Sequence, residues 1–139
     1  MNESQLATEC RTRVRILSDD VLYPEVSDFV RQHCQDRVPR PAQIHGLLQF
    51  SQSWEEWQSF VNHQKEREGH PDREFYRALA KWNENCRKRA KEEWNFLSPG
   101  LTKADTNRQL SLVCGLLVAE FAQHLAAELL RIHKPRSES

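Results

Sequence analysis

Apolar residues return at intervals of three and four along nearly the whole chain, and nowhere do β-branched residues alternate with polar ones as a half-buried strand requires. That period turns one face of a helix inward, so the spacing predicts an all-α fold. Glycine, at four residues, is too scarce to punctuate a chain built from many tight turns. With 139 residues the chain suits one domain, large enough to bury a single core without disulfides or metal. The expected architecture is a single-domain bundle of five or six helices with two long C-terminal helices, spanning residues 1–134, followed by a disordered tail over 135–139.

The stripe Leu6, Cys10, Val14 and Leu17 predicts a first helix from about Ser4, ending near Asp19 and Asp20. Pro24 is placed to open a second, striped by Val26, Phe29, Val30 and Cys34. The run Val38-Pro39-Arg40-Pro41 forces an extended break, because each proline disfavours helical backbone in the residue before it. Pro41 can open a third helix carrying Ile44, Leu47 and Leu48. Ser53 with Glu56 three residues later reads as a capping box for a fourth, whose face carries Trp54, Trp57, Phe60 and Val61. Gly69, His70 and Pro71 end it. Asp72 is positioned to cap a fifth helix, striped by Phe75, Leu79, Trp82, Cys86, Ala90 and Leu97 and running to Ser98. A last helix, Lys103 to His133, carries Leu110, Val113, Cys114, Leu117, Phe121, Leu125, Leu129 and Ile132. Leu116, Val118, Ala119, Ala122, Ala126 and Ala127 widen its apolar surface, as a central helix touched from several sides requires.

Lys plus Arg (20) equals Asp plus Glu (20), so the chain as a whole is no polycation and any attraction to phosphate is local. Residues 73–91 hold seven basic side chains and two acidic ones, a local balance of +5 that the rest of the chain offsets. Turning the helix residue by residue sets Arg73, Arg77, Lys81, Lys88 and Lys91 opposite the apolar stripe, with Arg87 beside them. These six are the candidate nucleic-acid-binding residues, since Lys and Arg neutralise phosphates while bases stack on aromatic faces such as that of nearby Trp94. The competing reading is a solvated helix face, its cations offset by Glu74, Glu84, Glu92 and Glu93. Trp54, Trp57 and Trp94 are the candidate partner-binding anchors, Trp being the residue most often found at interface hot spots. Trp82 lies in the stripe and is expected in the core.

Cys10, Cys34, Cys86 and Cys114 are dispersed with no CxxC, which reads as four small buried thiols in a reducing cytoplasm. The polar N-terminus offers no secretory signal, and the longest apolar run is expected to be too short to span a bilayer, so no membrane partner is anticipated. Glu120, His124 and Glu128 share one face of the last helix, but no second helix supplies the Glu-x-x-His pairs of a di-metal bundle, so they read as a polar seam. Arg40 and His45 have the spacing used by some helical ribonucleases, yet Pro41 directly after the arginine disturbs the helix start. No phosphate loop, nucleophile elbow or Cys–His pairing occurs at a known spacing. The expectation is a non-enzyme with no cofactor and no metal.

The stretch "RPAQIHGLLQF" (Arg40 to Phe50), opening a helix after a proline-rich break, together with a long apolar final helix, resembles the small all-helical subunit of type III CRISPR effector complexes. Gln43 and Ile44 match that family's pattern, and His45 stands where the family carries an arginine. The resemblance implies a non-catalytic subunit that stacks beside crRNA-bound backbone subunits, with protein subunits of a larger complex and RNA or single-stranded nucleic acid as partners. The alternative is a helical protein–protein adaptor or homo-oligomeric scaffold that binds no nucleic acid.

Overall fold

The computed structural model describes residues 3–133, so the tail expected over 135–139 and the Leu6 side chain lie outside the described residues. Every regular element among the described residues is helical: α1 (Glu3–Leu17), a π-helical turn (Ser18–Leu22), α2 (Tyr23–His33), α3 (Pro41–Phe50), α4 (Trp54–Glu66), α5 (Arg73–Glu92) and α6 (Lys103–His133). α6 touches each of the other helices and forms the spine of the bundle. That position explains its wide apolar surface: Val113, Cys114, Leu117, Val118, Phe121, Ala122, Leu125 and Leu129 are all fully buried. Phe121 stacks on Trp82 with ring centroids 3.9 Å apart and meets the edge of Phe29 at 6.0 Å. Phe29 in turn meets Phe75 edge-on at 5.6 Å, so one aromatic chain joins α2, α5 and α6.

The apolarity of α6 overturns one expectation. By length and composition this helix could cross a bilayer, with an 18-residue window of mean hydropathy 1.6. Half of that window is buried inside the bundle, where a helix packed on several sides needs apolar residues around most of its circumference.

Three local differences from the sequence reading have physical causes. The chain does not break at Asp19 and Asp20: the π-helical turn carries α1 into α2 without a cap, and the Tyr23 N–H donates to the Ser18 carbonyl five residues back. The widened turn comes just before Pro24, whose ring would otherwise press on the Asp20 carbonyl.

α5 stops at Glu92 rather than running on to Leu97. Trp94 N–H reaches back to the Arg89 carbonyl (2.7 Å) and Phe96 N–H to that of Ala90 (2.9 Å), with Asn95 in the left-handed region at φ 50°. Asparagine is the non-glycine residue that tolerates this conformation best. Arg13 of α1 then clamps the loop, donating to the Trp94 and Asn95 carbonyls and lying 4.1 Å over the Phe96 ring.

Asp72, expected as a capping side chain, makes no such bond. It is buried, and its Oδ1 accepts from Arg37 Nε at 2.8 Å, which ties the start of α5 to the segment between α2 and α3.

Candidate nucleic-acid interface

The orientation of α5 is fixed from inside. Phe75, Tyr76, Leu79, Asn83, Cys86 and Ala90 are buried, and two polar contacts lock the helix against its neighbours. The Tyr76 hydroxyl donates to Gln43 Oε1 of α3 at 2.6 Å, and the Trp57 indole N–H of α4 donates to Asn83 Oδ1 at 2.7 Å. With that face inward, Arg77, Lys81, Arg87, Lys88 and Lys91 stand exposed on the outside and Arg73 is half-buried. Lys81, Arg87, Lys88 and Lys91 form no ion pair among the described residues. Arg77 pairs with Glu74 one turn back at 2.5 Å, an exposed contact of small worth.

Arg73 does more than project outward. Its Nε donates to the Lys65 carbonyl at 2.9 Å, satisfying a free acceptor at the C-terminal end of α4. The contact draws the end of α4 beside the start of α5 and frames an open cleft of about 390 Å³. Lys65, Arg73, Arg77 and Lys81 supply its positive charge, with Glu66 and Glu84 also in the lining. Sequence reasoning found three of these four cations and missed Lys65, which comes from a different helix. The break at Gly69, His70 and Pro71 between α4 and α5 was legible, but not the packing that sets Lys65 against Arg73.

Arg89, the seventh cation of the segment, faces elsewhere. It pairs with Glu25 of α2 at 2.6 Å and with Glu93 at 3.5 Å, and its guanidinium lies 4.2 Å over the Trp94 ring. Trp94 is therefore half-buried, with one ring face occupied from within the chain.

Trp54 and Trp57, read from the sequence as partner-binding anchors, do not serve that role: they are 5% and 0% exposed. The capping contact in which the Glu56 N–H donates to Ser53 Oγ (3.1 Å) sets the phase of α4 so that Trp54, Trp57, Val61 and Gln64 all turn inward. Trp54 starts α4 close against α6, where a Cβ on Gly115 would stand in ordinary contact, 3.5 Å from the Trp54 backbone nitrogen. Trp82 is packed on Phe121, as its place in the stripe predicts, and its indole N–H reaches Glu25 at 3.3 Å.

Glu120, His124 and Glu128 do not converge. His124 Nε2 lies 2.7 Å from Ser18 Oγ in the π-helical turn, and its ring meets Tyr23 edge-on at 5.3 Å. Glu128 takes both its bonds from Arg131, at 2.8 and 2.9 Å, and that partner holds its carboxyl below the usual range. Arg40 and His45 are exposed at the start of α3. Among the described residues no three His, Cys, Asp or Glu side chains are grouped as metal ligands.

One buried polar cluster was not legible in the sequence. Around Asp72 lie Cys34, Arg37, His70 and Tyr76; burial and the Asp72 charge push the Cys34 thiol up to about 11 and raise the Tyr76 phenol too. His70 Nδ1 accepts from the Asp72 N–H at 3.0 Å, while its buried Nε2 has no partner among the described residues. Burial first, then nearby Arg67, depresses its pKa below the ordinary 6.5.

Taken together, the outer face of α5 and its cleft present guanidinium forks and ammonium charges that suit phosphate oxygens. No protein-family model, curated protein or solved structure matches the chain.

Proposed function

We propose that the chain is a non-catalytic helical subunit of a larger assembly that contacts RNA or single-stranded nucleic acid through the outer face of α5. The observation that carries this reading is the unpaired row Lys81, Arg87, Lys88 and Lys91 continuing from the Lys65–Arg73–Arg77 cleft, a local excess of positive charge in a chain whose formal net charge is zero. Each phosphate neutralised would release a counterion, so binding would be salt-dependent and tolerant of sequence. The particular assembly we put forward, on the resemblance at Arg40 to Phe50, is a type III CRISPR effector complex, with this chain as its small subunit. Cytoplasmic residence and antiviral defence follow as part of that proposal.

The test is fluorescence anisotropy with a labelled single-stranded RNA across a salt series. Lys81→Glu, Arg87→Glu and Lys88→Glu together are expected to weaken binding by about 10²-fold or more and to flatten the salt slope by about 3. Unchanged affinity and slope would remove this surface from consideration.

A second reading, a homo-oligomeric scaffold or protein adaptor, is favoured by a separate observation. Leu112 and Leu130 on the outer side of α6 remain 38% and 37% exposed. Sedimentation velocity on the wild-type chain and on Leu112→Glu/Leu130→Glu decides it: a dimer dissolved by the double substitution supports the scaffold.

A further inference from the structure

With Trp54 and Trp57 inside, the aromatic side chains that α4 and its neighbour leave at the surface are Phe50 and Phe60. Phe50 ends α3 and stacks on Phe60 of α4, with ring centroids 4.7 Å apart and planes 15° from parallel, both rings half-buried. Phe60 is held in place from behind. Tyr76 meets it edge-on at 5.7 Å, and its Cζ lies where a Cβ on Gly46 would come within 3.1 Å, so the ring rests directly on the α3 backbone.

The two rings line an open groove of about 490 Å³, with Glu55 and Glu56 in its wall. Both carboxylates are exposed, and neither forms an ion pair among the described residues. Their place in the first turn of α4 suits the helix dipole, which accounts for the acidic residue type but not for the rings beside them.

We propose that this groove docks a basic-apolar peptide segment of a partner protein. An aliphatic or aromatic side chain of the segment rests on the Phe50–Phe60 pair, and an adjacent Lys or Arg reaches Glu55 and Glu56. Three physical arguments select this chemistry. A preformed, stacked aromatic floor favours an apolar anchor at low ordering cost. The long stems of Lys and Arg lie well along apolar surface while their charged heads meet the carboxylates. Those same carboxylates repel phosphate and acidic peptides, so the groove rejects what the basic cleft between α4 and α5 attracts. The inference does not depend on nucleic-acid binding, because different side chains line the two places.

The experiment is selection of a displayed random peptide library on the full chain, with Glu55→Lys/Glu56→Lys as counter-target. The synthetic consensus peptide is then titrated by anisotropy. The expected consensus sets an apolar residue next to Lys or Arg, and the expected loss of affinity in the double variant is at least about tenfold, largest at low salt. Phe50→Ser is expected to weaken the same peptide independently of salt. Both variants are compared with the wild type by circular dichroism, and the two glutamates are exposed enough to be replaced without unfolding. The proposal is overturned by an acidic consensus, by a library that enriches nothing over the counter-target, or by peptide affinity that ignores Glu55→Lys/Glu56→Lys.

Discussion

The indole N–H of Trp57 donates to Asn83 Oδ1 at 2.7 Å, and both side chains are sealed from solvent, 0% and 3% exposed. Together with the Tyr76–Gln43 bond and the buried apolar face of α5, this contact holds the rotation of α4 against α5 that leaves the basic side chains of α5 facing outward. Asn83→Ala leaves a buried N–H unpaired and is expected to cost about 1–3 kcal/mol in denaturant unfolding. Trp57→Ala, which also empties a large core volume, is expected to cost about 3–5 kcal/mol. A Trp57→Ala chain as stable as wild type would show that the indole is not in the core at all.

Cations on α5 divide into two kinds, and charge reversal separates them. Lys88→Glu, at an exposed and unpaired position, is expected to change stability by no more than about 0.5 kcal/mol. Arg89→Glu sets a carboxylate against Glu25 and Glu93 and removes the cover from Trp94, so it is expected to destabilise by roughly 1–2 kcal/mol, a figure reduced for the partial exposure of the pair. Urea midpoints of the two variants provide the comparison.

His70 gives the fold a defined pH response. Its folded pKa lies below the ordinary 6.5, so as pH falls through that value the unfolded chain takes up a proton that the folded chain resists. Stability is therefore full above about 6.5 and declines below it, toward the depressed folded value. Protonation would also place a hydrogen on Nδ1, which now accepts from Asp72 N–H, with Arg37 and Arg67 adding repulsion and the Asp72 carboxylate partly opposing it. His70→Asn offers an acceptor that does not titrate. Urea midpoints at about pH 7.5 and about pH 5.5 are expected to differ more for wild type than for this variant. Equal differences would detach His70 from the response.

The four cysteines are buried, and burial holds the thiols of Cys10, Cys34 and Cys86 above their ordinary pKa. For Cys86, the hydrogen bond with Cys114 adds to the shift and is its largest cause. Thiolate is the reactive form, so an aromatic disulfide reagent is expected to label none of them on the timescale of minutes in native buffer and all of them in guanidinium. Fast native labelling of any one would reveal local opening at that helix.

Periodicity and punctuation carried most of the architecture. The stripe of α6 and its broad apolar surface marked the spine, and Ser53 with Glu56 marked the start of α4 to the residue. What escaped was information held between segments. The capping box located α4 but did not say that its Trp face would meet α5 and α6, so an anchoring role for Trp54 and Trp57 stayed open although Trp at helical spacing is more often core. Asp72 was visible as a cap because helix starts are local; its bond to Arg37 comes from a segment 35 positions away and has no local signature. The outer face of α5 was legible because a helix wheel needs only one helix, whereas Lys65 entered the cleft through packing of two.

The π-helical turn at Ser18–Leu22 solves a problem of phase. Along an uninterrupted α-helix the buried stripe Cys10–Val14 and the stripe Leu22, Val26 and Phe29 would point about 100° apart, the offset of one surplus residue. The wide turn absorbs that residue and brings both stripes onto α6. Shortening the chain by Asp19 or Asp20 would consequently put the two greasy stripes in line without the wide turn, leaving a kink at the Pro24 ring as its cost, whereas losing a residue inside α2 would swing half of the joined rod away from the spine.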